Sequence, residues 1–91
     1  MIERDGKTLR VSGPITMTSA PAVRDRGLVL LGKDVATVDL SAVTEVDSAA
    51  IAVVLAWRRQ AGRALAFVGI PAALGSLASL YGLERLLDEA A

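Results

Sequence analysis

The order of its periodic segments is what most limits the fold of this chain. Val35-Ala36-Thr37-Val38-Asp39-Leu40 and Ala64-Leu65-Ala66-Phe67-Val68 are short, nearly continuous runs of apolar and β-forming residues. Such runs suit buried strands covered on at least one face. Between and around them lie segments with helical spacing. One begins at Thr18 or Ser19, with Pro21 in its first turn and Val23, Gly27, Leu30 and Leu31 on one side, and stops at Gly32. A second opens at Asp47-Ser48, runs to about Ala61 and ends at Gly62. A third starts at Pro71 and carries Leu74, Leu77, Ala78 and Tyr81; Gly82 separates it from a short terminal helix over Leu83-Glu84-Arg85-Leu86-Leu87. Strands that alternate with helices imply parallel neighbours joined by right-handed crossovers.

The start of the chain adds a different signal. Thr8-Leu9-Arg10-Val11-Ser12 alternates as a half-buried strand does, Gly13-Pro14 punctuates it, and Ile15-Thr16-Met17 resumes the alternation. This predicts a short antiparallel pair, while Ser41 to Val46 reads as a loop. The expected architecture is α/β: a mixed sheet of about four strands, an N-terminal antiparallel pair within it, and three to four helices packed against it. The 91 residues fit one domain spanning 1–91.

Several functions are disfavoured by what the chain lacks. Ten basic and ten acidic residues leave no charge excess for phosphate contacts, which argues against nucleic acid. Arg58, Arg59 and Arg63 form only a local basic edge. No apolar stretch approaches the roughly 20 residues needed to span a bilayer, and Met1-Ile2-Glu3-Arg4-Asp5 has no signal-peptide pattern. With neither cysteine nor histidine, disulfides, thiolate metal sites and the commonest general base are absent. No catalytic residue, metal or cofactor is expected, although Asp39 and Asp47 are the one pair of carboxylates to weigh for acid–base chemistry. A cytoplasmic protein is the natural reading. The apolar fraction of 53% is high for so short a chain, which favours a partner, or a homodimer in isolation, to cover surplus apolar surface.

The second helix is the most informative segment. Ile51, Val54, Leu55 and Trp57 fall on a broad apolar arc, with Val53 at its margin, and this arc should face the sheet. The opposite side holds Ala49, Ala52 and Ala56, with Arg59 and Gln60 nearby, and side chains this small let another backbone approach closely. Alanine is also simply a good helix former for a surface. Asp47 and Ser48 carry the same ambiguity. Both are preferred helix N-caps, and Ser48 is also a candidate docking or phosphorylation point. A phosphate there would add about two negative charges beside Asp47 and Glu45 while lying in the favourable field of a helix N-terminus.

Val38-Asp39-Leu40-Ser41, followed after a short gap by Val46-Asp47-Ser48-Ala49-Ala50-Ile51, resembles the core signature of STAS domains. These include anti-sigma factor antagonists and the MlaB-like small subunits of bacterial phospholipid-trafficking ABC transporters. The resemblance runs from Thr8 to Leu87 and takes in the Leu65–Val68 strand and the closing Leu77-Ala78-Ser79-Leu80-Tyr81-Gly82-Leu83. It implies a non-enzymatic domain that binds protein through the Asp47–Ser48 turn and the helix after it, with Asp47, Ser48, Ala49, Ala52 and Ala56 as the contact residues. In anti-sigma factor antagonists the serine matching Ser48 is phosphorylated by a partner kinase, which blocks binding. In the MlaB-like branch the matching hydroxyl lies at the contact with a cytoplasmic ATPase subunit. Many members have glycine where this chain has Ala50, and a methyl there is expected to restrict how closely a kinase or partner approaches, which weighs more against phosphorylation of Ser48 than against docking. The short chain and the Leu-Tyr-Gly-Leu ending resemble the MlaB-like branch. The implied role is binding and stabilising or regulating an ABC ATPase that maintains outer-membrane lipid asymmetry, with the domain peripheral to the inner membrane through that partner. The alternative is an anti-sigma factor antagonist controlled at Ser48.

Overall fold

The computed structural model describes residues 1–62 and 65–87, with the side chains of Glu84 and Leu86 outside the described set. Strands β1 (Ile2–Asp5), β2 (Thr8–Ile15), β3 (Thr37–Val46) and β4 (Ala66–Val68) form one sheet in the order β1-β2-β3-β4. Helices α1 (Ala20–Leu31), α2 (Ala49–Ala61) and α3 (Ala72–Leu80) alternate with them, and a single 3-10 turn, Glu84–Leu87, replaces the terminal helix expected over Leu83–Leu87. β1 and β2 are antiparallel, whereas β2–β3 and β3–β4 are parallel. The mixed four-stranded sheet with an N-terminal antiparallel pair is therefore as expected.

The members of that pair differ from the expected ones. The partner of Thr8–Ser12 is Ile2–Asp5, in regular register from Ile2↔Val11 to Asp5↔Thr8, and not Ile15–Met17. Gly13-Pro14 lies within one continuous β2, at a register irregularity against β3. Proline is tolerated there because β1 reaches only as far as Val11. Beyond Ser12, whose N–H still donates to the Met1 carbonyl at 2.7 Å, the β1 side of β2 offers no strand to receive an amide.

The expected loop from Ser41 to Val46 is instead the second half of β3, paired in parallel with Ser12–Ile15. It reads as a loop because β4 pairs only with Thr37–Asp39. Past that point β3 has a neighbour on one side alone, so Ser41, Ala42, Thr44 and Glu45 are exposed. Val35 precedes the strand yet is fully buried. β4 begins at Ala66, one residue past Leu65, and Ala64, where the expected strand starts, lies outside the described residues.

Along each strand the side chains alternate between two unlike faces. Ile2, Leu9, Val11, Ile15, Val38, Leu40 and Phe67 point into one core shared with Ile51, Val54, Trp57, Leu74 and Ala78 from the helices. The opposite face carries Glu3, Asp5, Arg10 and Asp39 and is polar. Parallel sheets are usually covered on both sides; this one has a largely polar open side, on which Val68 of β4 lies exposed beside Asp39.

The buried arc of α2 differs from the one expected. Val53 is buried rather than marginal, Ala50 joins it, and Leu55 is only half-buried. The helix packs against α1 as well as the sheet, so its buried arc is broader and turned toward α1. Trp57 lies on that boundary. Its indole N–H donates to the Arg24 carbonyl of α1 at 3.2 Å, and the ring lies over Gly27. α3 stops at Leu80, leaving Tyr81 exposed beyond its end and not on its apolar side. The stop is a paired one: Leu83 N–H reaches Ala78 O at 2.7 Å and Gly82 N–H reaches Ser79 O at 3.0 Å. That geometry needs a left-handed residue at position 82, which Gly82 supplies with φ 70°.

Candidate functional site

Parallel strands deliver their C-terminal ends side by side, and here those ends are Ile15 of β2 and Val46 of β3. The chain leaves each of them into a helix, so the starts of α1 and α2 are neighbours. Local hydrogen bonds stitch both corners. At the first, Ser19 Oγ donates to Pro14 O at 2.8 Å and accepts from Thr16 N–H at 3.0 Å. At the second, the Asp47 carboxylate does two jobs. Oδ1 accepts from Ala49 N–H at 2.8 Å, capping α2, and Oδ2 accepts from Met17 N–H at 2.9 Å, across the gap between the corners.

This geometry separates two residues that look alike in sequence. Asp47 is the helix cap. Ser48 already has helical angles, φ −62° and ψ −20°, and makes no side-chain capping bond. Its hydroxyl is exposed beside the cap and is not consumed by it.

Of the alanines on α2, Ala52 is exposed and Ala49 and Ala56 are half-buried. Together with Val53 they form one wall of a groove of about 290 Å³ whose other wall is Met17, Ala20, Pro21 and Arg24. The structure thus brings Ala49, Ala52 and Ala56 together and attaches them, through the Asp47–Met17 bond, to the Ser48 corner. Met17, Pro21 and Arg24 are not among the contact residues expected from the sequence. The signal that finds them is the parallel pairing of β2 and β3, which makes residues 30 positions apart neighbours. A larger open cleft, about 550 Å³, lies between β1 and α1 and contains neither Asp47 nor Ser48.

Ala50 does not have the role expected of it. It is fully buried in the core, so its methyl meets neither a kinase nor any other partner. The residue therefore gives no reason to prefer docking over phosphorylation.

The Asp39-Leu40-Ser41 motif is a strand-edge device. β4 ends opposite Asp39, and there Asp39 Oδ1 accepts the Ser41 N–H at 2.9 Å. The chain leaving β4 passes so close that a Cβ on Gly69 would stand 2.8 Å from the Ser41 backbone nitrogen, at a φ of +64°. Asp39 lies near the start of β3 and Asp47 just past its end; eight residues at about 3.3 Å each put them roughly 26 Å apart along the strand. They do not form an acid–base pair. Among the described residues, no three acidic side chains converge as a metal site would require.

The backbone N–H of Ser41, then its hydroxyl and the charge of Arg10, hold the Asp39 carboxyl below the usual aspartate range against the opposing effect of burial. A depressed folded pKa means the carboxylate's contribution to stability is complete above the ordinary value, about 3.9, and is lost as pH falls through the folded one. Asp39→Asn should therefore flatten the acid limb of the stability curve beneath roughly pH 4. Urea midpoints measured from pH 2 to pH 6 check this, and parallel curves for the two proteins would count against it.

These arrangements can be set beside known proteins. A sequence model of the family described as "Mlab, STAS domain" matches residues 1–88. The chain belongs to the STAS domain family. Among solved structures, this STAS domain is similar to the anti-sigma factor antagonist SpoIIAA in its unphosphorylated form. The TM-score is 0.58 at 13% identity, over 88% of this chain and 81% of that one. At that identity the likeness shows a shared fold. No curated protein sequence matches the chain. Among the described residues no helix is long and apolar enough to cross a membrane.

Proposed function

We propose that this STAS domain is a non-enzymatic, MlaB-like subunit that binds the cytoplasmic ATPase of a phospholipid-transport ABC complex, and that it docks through the Asp47–Ser48 corner and the α1–α2 groove. The observation that carries the reading is the division of labour at the corner. Asp47 takes the capping role, which leaves an exposed Ser48 hydroxyl next in sequence to Ala49, the first α2 residue of a groove lined mainly by alanine, proline, valine and methionine. Small side chains on one wall admit a partner's backbone, Met17 offers apolar contact, and Arg24 is the one charged residue of the lining. The match to the MlaB-type STAS family supports a partner of this class. On this reading the domain stabilises or regulates the ATPase and is held at the inner membrane by it, in the service of outer-membrane lipid asymmetry.

A second reading draws on the same hydroxyl. An exposed serine that makes no capping bond is open to a kinase, as an anti-sigma factor antagonist controlled at Ser48 requires, and Ala50 no longer weighs against it. The two readings predict different company. Affinity purification of the tagged domain from its native cell should recover an ABC ATPase together with its permease. Recovery of a sigma-regulating kinase alone, with phosphate appearing on Ser48 when the two are incubated with ATP, overturns the first reading and establishes the second.

A further inference from the structure

We propose that Met17 is a modification site: hydroperoxides oxidise its thioether to the sulfoxide, and the sulfoxide closes the α1–α2 groove to a protein partner. The second half rests on the docking reading given above. The chain holds two methionines and no cysteine, so its sulfur chemistry is confined to Met1 and Met17. Both are open to solvent, Met17 at 78% and Met1 at 84%. They lie in different places: Met1 lines the cleft between β1 and α1, and Met17 lines the groove beside Ser48. The backbone of Met17 is fixed there, because its N–H is held by Asp47 Oδ2. A change on its side chain is therefore presented at one place on the candidate docking surface.

The chemistry is balanced by the oxidant alone. A sulfur lone pair attacks one peroxide oxygen, an S–O bond forms and the O–O bond breaks. The departing oxygen takes a proton and leaves as water or an alcohol, while sulfur gives up two electrons. The product replaces a flexible apolar group with a polar, chiral one that must keep its oxygen hydrated or hydrogen-bonded. Alanine, proline and valine make up most of the lining and offer that oxygen no side-chain donor; Arg24 is the one lining residue that carries a donor. An apolar partner surface pressed over it would bury the oxygen unsatisfied unless the Arg24 guanidinium were drawn across the groove to meet it, and either outcome disfavours docking.

The test uses the full chain with hydrogen peroxide as oxidant and the ATPase recovered with the untreated domain as binding probe. Peptide mass spectrometry should find one added oxygen on the Met17 peptide, and the affinity of the treated protein should fall by about tenfold or more, with unchanged circular dichroism. Met17→Leu should show no change in its own affinity on the same treatment, even though Met1 is oxidised. Wild-type protein oxidised at Met17 that binds as tightly as before overturns the inference and leaves the docking reading standing. An untreated protein that does not bind the ATPase at all overturns the docking reading, and this inference with it.

Discussion

Replacing Gly27 with alanine should destabilise the domain by about 2 kcal/mol, although alanine is the better helix former. A Cβ at this position would stand 2.3 Å from Nε1, 2.4 Å from Cε2 and 2.5 Å from Cζ2 of Trp57. The ring has nowhere to go. It is fully buried, and its N–H is held by the Arg24 carbonyl one turn earlier on α1. Either α1 moves off α2 or the indole gives up its hydrogen bond. Overpacking costs about 1–3 kcal/mol and the lost bond about 1 kcal/mol, while the propensity gain returns at most about 1 kcal/mol. In a domain of this size each kcal/mol is worth roughly 4–8 °C, so the melting temperature should fall by about 8–16 °C. Trp57→Ala should cost more, about 3–5 kcal/mol. Because the two residues meet at one contact, the double variant should lose less than the sum of the singles. Thermal and urea unfolding followed by circular dichroism measure all three. A Gly27→Ala protein that melts with wild type would refute the tight fit.

The same glycine shows where sequence reasoning stops. On a propensity scale Gly27 only weakens a helix; in the fold its missing side chain is the space a tryptophan occupies, a fact visible only once α1 and α2 are neighbours. The segments that could be read are those whose pattern arises within the element: α1 between Ser19 and Gly32, α2 between Asp47 and Gly62, and the buried runs around Val38 and Phe67. Segments defined by pairing could not. Ile2-Glu3-Arg4-Asp5 contains a single apolar residue and is a strand because β2 supplies its hydrogen bonds. Gly13-Pro14 has the composition of a turn and remains in a strand because β1 ends before it. Ser41–Val46 has the composition of a loop because β4 is too short to cover it. The candidate site divides the same way. Asp47, Ser48 and the α2 alanines stand together on one local signal, whereas Met17, Pro21 and Arg24 enter only through the parallel pairing of β2 with β3. Ala50 shows the reverse case, a position that resemblance placed at the surface and packing puts in the core.

Ala52→Arg should weaken partner binding by about thirtyfold or more while leaving the fold intact, and it carries the largest expected effect on function. Ala52 is exposed in the middle of α2, where arginine is nearly as good a helix former as alanine, so stability should change by less than about 0.5 kcal/mol. Its long side chain would occupy the groove shared with Met17, Pro21 and Arg24 and bring a second cation beside Arg24. A central contact of this kind is worth about 2 kcal/mol or more, roughly a thirtyfold loss of affinity. Ser48→Asp tests the corner separately. Ser48 makes no capping bond, and the field of a helix N-terminus favours a carboxylate, so the folded state should tolerate the change. A partner seated on the neutral hydroxyl would instead meet a second negative charge beside Asp47, and affinity should fall by about tenfold. Val29→Arg, at a position also exposed but on α1 and outside the groove, serves as the control. Calorimetric titration against the recovered partner separates the outcomes. Loss at Ala52 alone confines docking to the groove, and loss at Ser48 alone confines it to the turn. Dissociation constants unchanged in both, against a folded and monodisperse protein, would move the interface off α2 altogether.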